Sequence, residues 1–193
     1  LLLVFIFWNI NSGSISISLN DIFQILFHKN GDETAYNIVW EIRLPRILAA
    51  VILGGALSVS GFLLQTFFGN PIAGPFVLGI SSGAKLIVAL TMIYLLGKSM
   101  VATSGLMILA AFTGSLISMG FVLLISRKVK QMSMLVVSGI MIGYICSAIT
   151  DFVVTFADDS NIVNLHNWSL GSFSGTSWDN VSVMAVVVFA ALF

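Results

Sequence analysis

Few side chains in this sequence are of a type and spacing that could perform chemistry. Gly97-Lys98-Ser99 resembles the end of a phosphate-binding loop. That loop needs another glycine five positions before Gly97, where Met92 stands, and an apolar helix precedes it rather than a strand. His28 and His166 are isolated from any second ligand at metal spacing. Cys146 is the single cysteine and lies in an apolar run, so it reads as a small hydrophobe. Neither a Gly-x-Ser-x-Gly elbow nor a His-Glu-x-x-His helix occurs. We therefore expect no catalytic residue, no metal site and no enzyme.

Charges in apolar surroundings are the next candidates. Glu41, Arg43 and Arg46 stand at the mouth of a long apolar run, with Pro45 placed to start a helix. Two readings are open for the arginines. They are either interfacial anchors or a docking site, because guanidinium keeps its charge and binds carboxylates bidentately. Lys85 falls in the first turn of a short helix, and its simplest reading is a side chain reaching back to the cytoplasmic surface. Asp151 lies late in a later span, near the outer surface. It is either a pathway acid or a solvated or Asn/Ser-paired one. Gly54, Gly55 and Gly61, and the pairs Gly79/Gly83 and Gly139/Gly143, predict close helix packing.

The elements that must position these residues are apolar helices. The chain is 58% hydrophobic and 8% charged, with a mean hydropathy of +1.06. A soluble domain carries about 25% charged residues, so the composition is that of a membrane protein. Eight acids offset eight bases, which leaves no basic arm for nucleic acid. We read 1–11 as the tail of a truncated first span and 12–36 as polar, with an amphipathic segment at 19–27 capped by Ser18 or Asn20. Leu44–Phe68 is long enough to cross.

Gly69-Asn70-Pro71 and Gly74-Pro75 then break the helix, and Ser81-Ser82-Gly83 interrupts again. Residues 71–83 are thus predicted as an irregular segment packed inside the bundle, with a short helix over 82–96. A fourth span covers 101–125 and a fifth 132–156. Residues 161–175 are too short and mixed to cross, and a sixth span opens near Trp178. The cluster Arg127, Lys128 and Lys130 places that end in the cytoplasm. Alternation then puts 69–75 inside, and 12–42, 97–100 and 157–177 outside.

An ordered series of residues gives the pattern a family. Arg43-Leu-Pro-Arg46, Leu48-Ala-Ala50, Gly54-Gly-Ala56, Ser60-Gly61 and Gln65 come first. Asn70-Pro-Ile-Ala73, Pro75 and Leu78-Gly79-Ile-Ser-Ser-Gly-Ala84 follow. Together they closely resemble the FecCD-type permeases, which import iron-siderophores, haem and cobalamin. Ser138-Gly139, Ile145-Cys-Ser-Ala148 and Trp168-Ser-Leu-Gly-Ser172 extend the resemblance toward the end of the chain.

The resemblance implies an all-α, BtuC-like polytopic bundle in the bacterial plasma membrane. The chain would be the N-terminal part, residues 1–193, of one transmembrane permease domain, truncated at about six of ten spans. The implied function is a permease subunit of an ABC importer for iron(III)-siderophores. Haem or cobalamin cargo is the alternative, and an ion-coupled secondary transporter is a further one. No cofactor would be bound by this chain, with ATP held on partner subunits. Implied partners are those ATP-binding subunits, an extracytoplasmic substrate-binding protein, a second permease subunit (identical or a paralogue) and membrane lipid.

In the family, arginines matching Arg43 and Arg46 pair with glutamates of the binding protein. The pathway is lined by the fifth span, with Ser133 near the inner gate and Ser138 and Asp151 as further candidates. Pro45, Gly61, Gln65, Asn70, Pro71, Gly79 and Gly83 carry the structural motif. The main loop that contacts the ATPases would lie beyond Phe193.

Overall fold

The computed structural model describes residues 2–11, 15, 17–28, 33–96, 103–129 and 132–192. All the regular structure among them is helical, as expected. In chain order the helices are α1 (Leu2–Asn11), α2 (Leu19–His28), α3 (Glu33–Asn37), a π-helical stretch (Ile38–Arg43) and α4 (Leu44–Phe68). They continue with α5 (Ile80–Leu96), α6 (Ser104–Ser126), α7 (Met132–Thr155), α8 (Asp159–Leu170) and α9 (Trp178–Leu192). Among the described residues three helical stretches are long and apolar enough to cross a membrane: Glu33–Phe68, Gly105–Ser126 and Ser133–Thr155. The chain divides into two compact units, residues 1–58 with 172–193, and residues 59–171.

The first unit is built around Ile10, Ile17, Ile22, Ile25, Val39 and Ile47, all buried. Ser18 starts α2 as anticipated. Its Oγ accepts from the Asp21 N–H at 3.2 Å while its hydroxyl donates to the Asp21 carboxylate at 2.7 Å. The expected start of the second helix at Arg43–Pro45 needs correction, because helix begins at Glu33 and continues without a break to Phe68.

Pro45 therefore does not open a helix; it sits just after the π-turn, fully buried. A proline ring within a helix clashes with the carbonyl four residues back, here that of Glu41. A π-turn, in which the Leu44 N–H donates to the Val39 carbonyl, re-spaces the chain at that point. From the same π-helical stretch, the Trp40 carbonyl accepts from the Trp178 indole N–H at 3.0 Å. Tyr36 stacks on Trp40 with ring centres 6.1 Å apart.

The second unit centres on α5, which packs against α6, α7 and α8. Two apolar clusters hold it. Val88, Ala89, Met92, Leu95, Met107, Ala110 and Leu165 form one. Phe68, Ala73, Leu78, Val122, Leu135 and Val136 form the other. The expected break after Phe68 is present, and Ala73 and Leu78 are fully buried within it. Gly69 ends α4 at φ +56° and Gly79 precedes α5 at φ +73°, conformations only glycine adopts cheaply.

The expected interruption at Ser81-Ser82-Gly83 is absent. These residues form the opening turn of α5, and Gly83 N–H already donates to the Gly79 carbonyl at 3.0 Å. Gly83 serves close packing there rather than a break, as its surroundings show.

Candidate functional site

Two places gather the residues singled out from the sequence. The first lies in the first unit, where α1, the π-turn and the start of α4 border a cavity of about 1260 Å³. Phe5, Ile42, Ile47 and Phe173 supply apolar wall, and Asn9, Arg43 and Arg46 supply polar groups.

Arg43 is 8% exposed and points inward. Its two terminal nitrogens donate to the carbonyls of Ile10 and Ile15, the latter at 2.6 Å. Ile10 is in the last turn of α1, where carbonyls lack helical partners and a cation is favoured. Arg43 thus ties the end of α1 and the following chain to the π-turn. Arg46, one turn on, is half-buried, and its Nε has no hydrogen-bond partner. The sequence treated the two arginines as a matched pair, whereas in this structure one is already occupied and the other has donor capacity to spare.

The second place is the α5–α6–α7 interface. A Cβ built on Gly79 would lie 2.7 Å from the Gly139 carbonyl oxygen and 2.8 Å from the Gly143 nitrogen. One on Gly83 would lie 2.6 Å from the Ser118 Cβ and 2.7 Å from the Gly114 oxygen. Helix backbones therefore touch directly, the geometry that small residues permit in membrane bundles. Ser118, 1% exposed, donates to the Gly79 carbonyl at 2.9 Å, and Ser147 donates to the Ser82 hydroxyl at 3.4 Å. Gly114 and Ser118 were missed from sequence, although their Gly-x-x-x-Ser spacing was the available signal.

Close packing was also expected at Gly54, Gly55 and Gly61, and there the structure differs. Nothing lies within 4 Å of a Cβ on any of the three. These glycines lie along α4, most of whose apolar window is not buried among the described residues.

Gln65 and the residues that follow α4 have a local role. Gln65 Nε2 donates to the Pro71 carbonyl at 3.0 Å, and Asn70 Oδ1 accepts from the Ile72 N–H at 2.9 Å. Gln65, Asn70 and Pro71 therefore lock the break after α4. Of the pathway candidates, Ser133 is exposed near the start of α7, and Ser138 donates to the Met134 carbonyl of its own helix at 2.8 Å. Asp151 is exposed, one turn before the end of α7. The three lie along one helix and are not brought together.

His166 is exposed on α8. The His28 side chain, Gly97-Lys98-Ser99 and Lys130 lie outside the described residues. Among the described residues no group of three or more His, Cys, Asp or Glu could hold a metal ion.

The FecCD transport family model matches residues 1–193. A vitamin B12 import system permease protein of Klebsiella pneumoniae is 38% identical over 151 residues, covering 78% of this chain and 44% of the relative. Its counterpart in Escherichia coli O6:H1 is 36% identical over 150 residues, with 78% and 45% covered. The chain thus spans a little under half the length of these curated relatives. An inward-facing metal-chelate type ABC transporter superposes with a TM-score of 0.78 at 22% identity, over 98% of this chain and 56% of that one. That likeness concerns the fold. Since the family model covers every residue of the sequence, the chain belongs to the FecCD transport family.

Proposed function

We propose that this chain is part of the permease subunit of an ABC importer for a bulky metal chelate. It would contribute path and packing, with no bond-making chemistry of its own. The single observation that carries the reading is the family match along the whole sequence. A bundle joined by direct backbone contact at Gly79, Gly83, Gly114 and Gly139 supports it, because such an interface moves as a unit rather than deforming. ATP-binding subunits, an extracytoplasmic binding protein and a second permease subunit are the partners the proposal requires. Ser133, Ser138 and Asp151 remain the pathway candidates.

For cargo we propose an iron(III)-siderophore, with cobalamin as the second reading, favoured by the vitamin B12 permeases among the relatives. The test is uptake of labelled ferric siderophore and of labelled cobalamin by cells lacking the full-length gene and complemented with it. ATP-dependent uptake of one cargo identifies it. Uptake that survives ATP depletion but not collapse of the ion gradient would instead indicate a secondary transporter.

Within the proposed binding-protein contact, Arg46 is the stronger candidate, because Arg43 already spends its terminal nitrogens on Ile10 and Ile15. Arg46→Glu should lower uptake at unchanged membrane level. Arg43→Glu should lower the membrane level itself. Normal uptake by the Arg46 variant would remove the docking role.

A further inference from the structure

Pro45 costs the opening of α4 more than a clash with the Glu41 carbonyl. In an α-helix the Leu44 N–H would donate to the Trp40 carbonyl. Here it donates to the Val39 carbonyl instead. In the π-register the donor to Trp40 is the N–H of residue 45, and proline has none. The Trp40 carbonyl is therefore left without a backbone donor in either register.

The Trp178 indole N–H meets that carbonyl, at 3.0 Å and across 138 residues of chain. Trp178 is the first residue of α9, and the cap of that helix holds it there. The Asn180 N–H donates to the Ser177 Oγ at 3.4 Å, and the Val181 N–H donates to the Ser177 carbonyl at 3.1 Å. Trp40 and Trp178 are both half-buried, with ring centres 5.8 Å apart. Both belong to the first compact unit.

Two readings of the bond compete. Tryptophan is common at membrane interfaces and its N–H takes a partner when buried, in which case Pro45 is irrelevant to it. Alternatively, the bond repairs the helix, since prolines are tolerated in spanning helices where a neighbour satisfies the freed backbone groups. The carbonyl that Trp178 meets is the one that Pro45 and the π-turn orphan, and that coincidence favours repair.

We infer that the Trp178 indole N–H stands in for the backbone donor that Pro45 lacks, locking the proline hinge of α4 to the first turn of α9. Prolines and π-turns are the places where helices bend, so the lock holds the opening of α4 at its weakest point. Arg46 follows the proline directly, and the lock thereby also fixes the turn that carries the docking candidate. That consequence rests on the docking reading, whereas the lock does not.

The test is a double-mutant cycle in the full-length permease in its assembled complex, read by thermal melting. Trp178→Phe keeps an aromatic ring beside Trp40 and removes the donor. With Pro45 in place it should lower Tm by about 3 °C, because the Trp40 carbonyl is stranded. In a Pro45→Ala background the same replacement should shift Tm by less than about 1 °C, since position 45 then offers an N–H of its own. Equal losses in both backgrounds would mean an aromatic anchor indifferent to the proline, and would overturn the inference. An unchanged Tm for Trp178→Phe alone would overturn it too. Should Trp178→Phe fail to accumulate, membrane level becomes the readout. Recovery on adding Pro45→Ala then supports the lock, and a double variant as scarce as the single one refutes it.

Discussion

Gly54-Gly55 of α4 and Gly79/Gly83 at the start of α5 read alike in sequence, as small residues in an apolar run. Their surroundings are opposite. A methyl group at Gly79 or Gly83 would collide with backbone at 2.7 Å, whereas one at Gly54 or Gly55 would meet nothing within 4 Å. The lesson is that a small-residue pattern states only that close approach is allowed. Whether a neighbour uses the permission depends on which helix is delivered to that face, and the break at 69–79 delivers α5 onto α7.

The comparison can be broken most decisively at Gly114. A Cβ there would lie 2.2 Å from the Gly83 carbonyl oxygen, so Gly114→Ala should destabilise the full-length permease by about 3 kcal/mol. Membrane level and thermal melting would report it, and near-normal values would mean that α5 and α6 are not so tightly joined. Gly79→Ala adds a left-handed φ of +73° to its backbone clash and should cost about 2–3 kcal/mol. Arg43→Ala should cost about 2 kcal/mol by stranding the Ile10 and Ile15 carbonyls. Faster proteolytic cleavage near Ile15 would show it, and unchanged cleavage would count against the tie.

Gln65→Ala removes one bond to the Pro71 carbonyl and should cost about 1 kcal/mol. The smallest effect sharpens the comparison most. Gly54→Ala should stabilise slightly, by about 0.5–1 kcal/mol, since alanine favours helix and space is open. If it instead costs as much as Gly79→Ala, then a neighbour covers α4 in the assembled protein.

Much of the fold was legible because its signals are local. The limits of α4 follow from an unbroken apolar run ended by Gly69-Asn70-Pro71, and the Ser18 cap from hydroxyl chemistry at a helix start. Features that depend on what lies across the interface were not legible. Ser81-Ser82-Gly83 resembles a loop because serine and glycine are poor helix formers. It is helical because Gly83 must admit Gly114 and Ser118. Pro45 resembles a first-turn proline, yet a π-turn accommodates it inside a longer helix. The matched spacing of Arg43 and Arg46 gave no sign that one would be tied to the Ile10 and Ile15 carbonyls while the other kept an unpartnered Nε.

The sequence by itself determined a helical membrane protein, the break after Phe68 and membership of its family. Those follow from apolar run length, from proline and glycine, and from an ordered residue pattern. Only the tertiary structure decided the depth at which α5 begins, and therefore which helix faces are neighbours. That depth sets Gly79 against Gly139 and Gly143, and Ser82 against Ser147. The physical reason is that hydropathy measures how much chain can lie in a membrane, while backbone contact between helices fixes where along the membrane each piece begins.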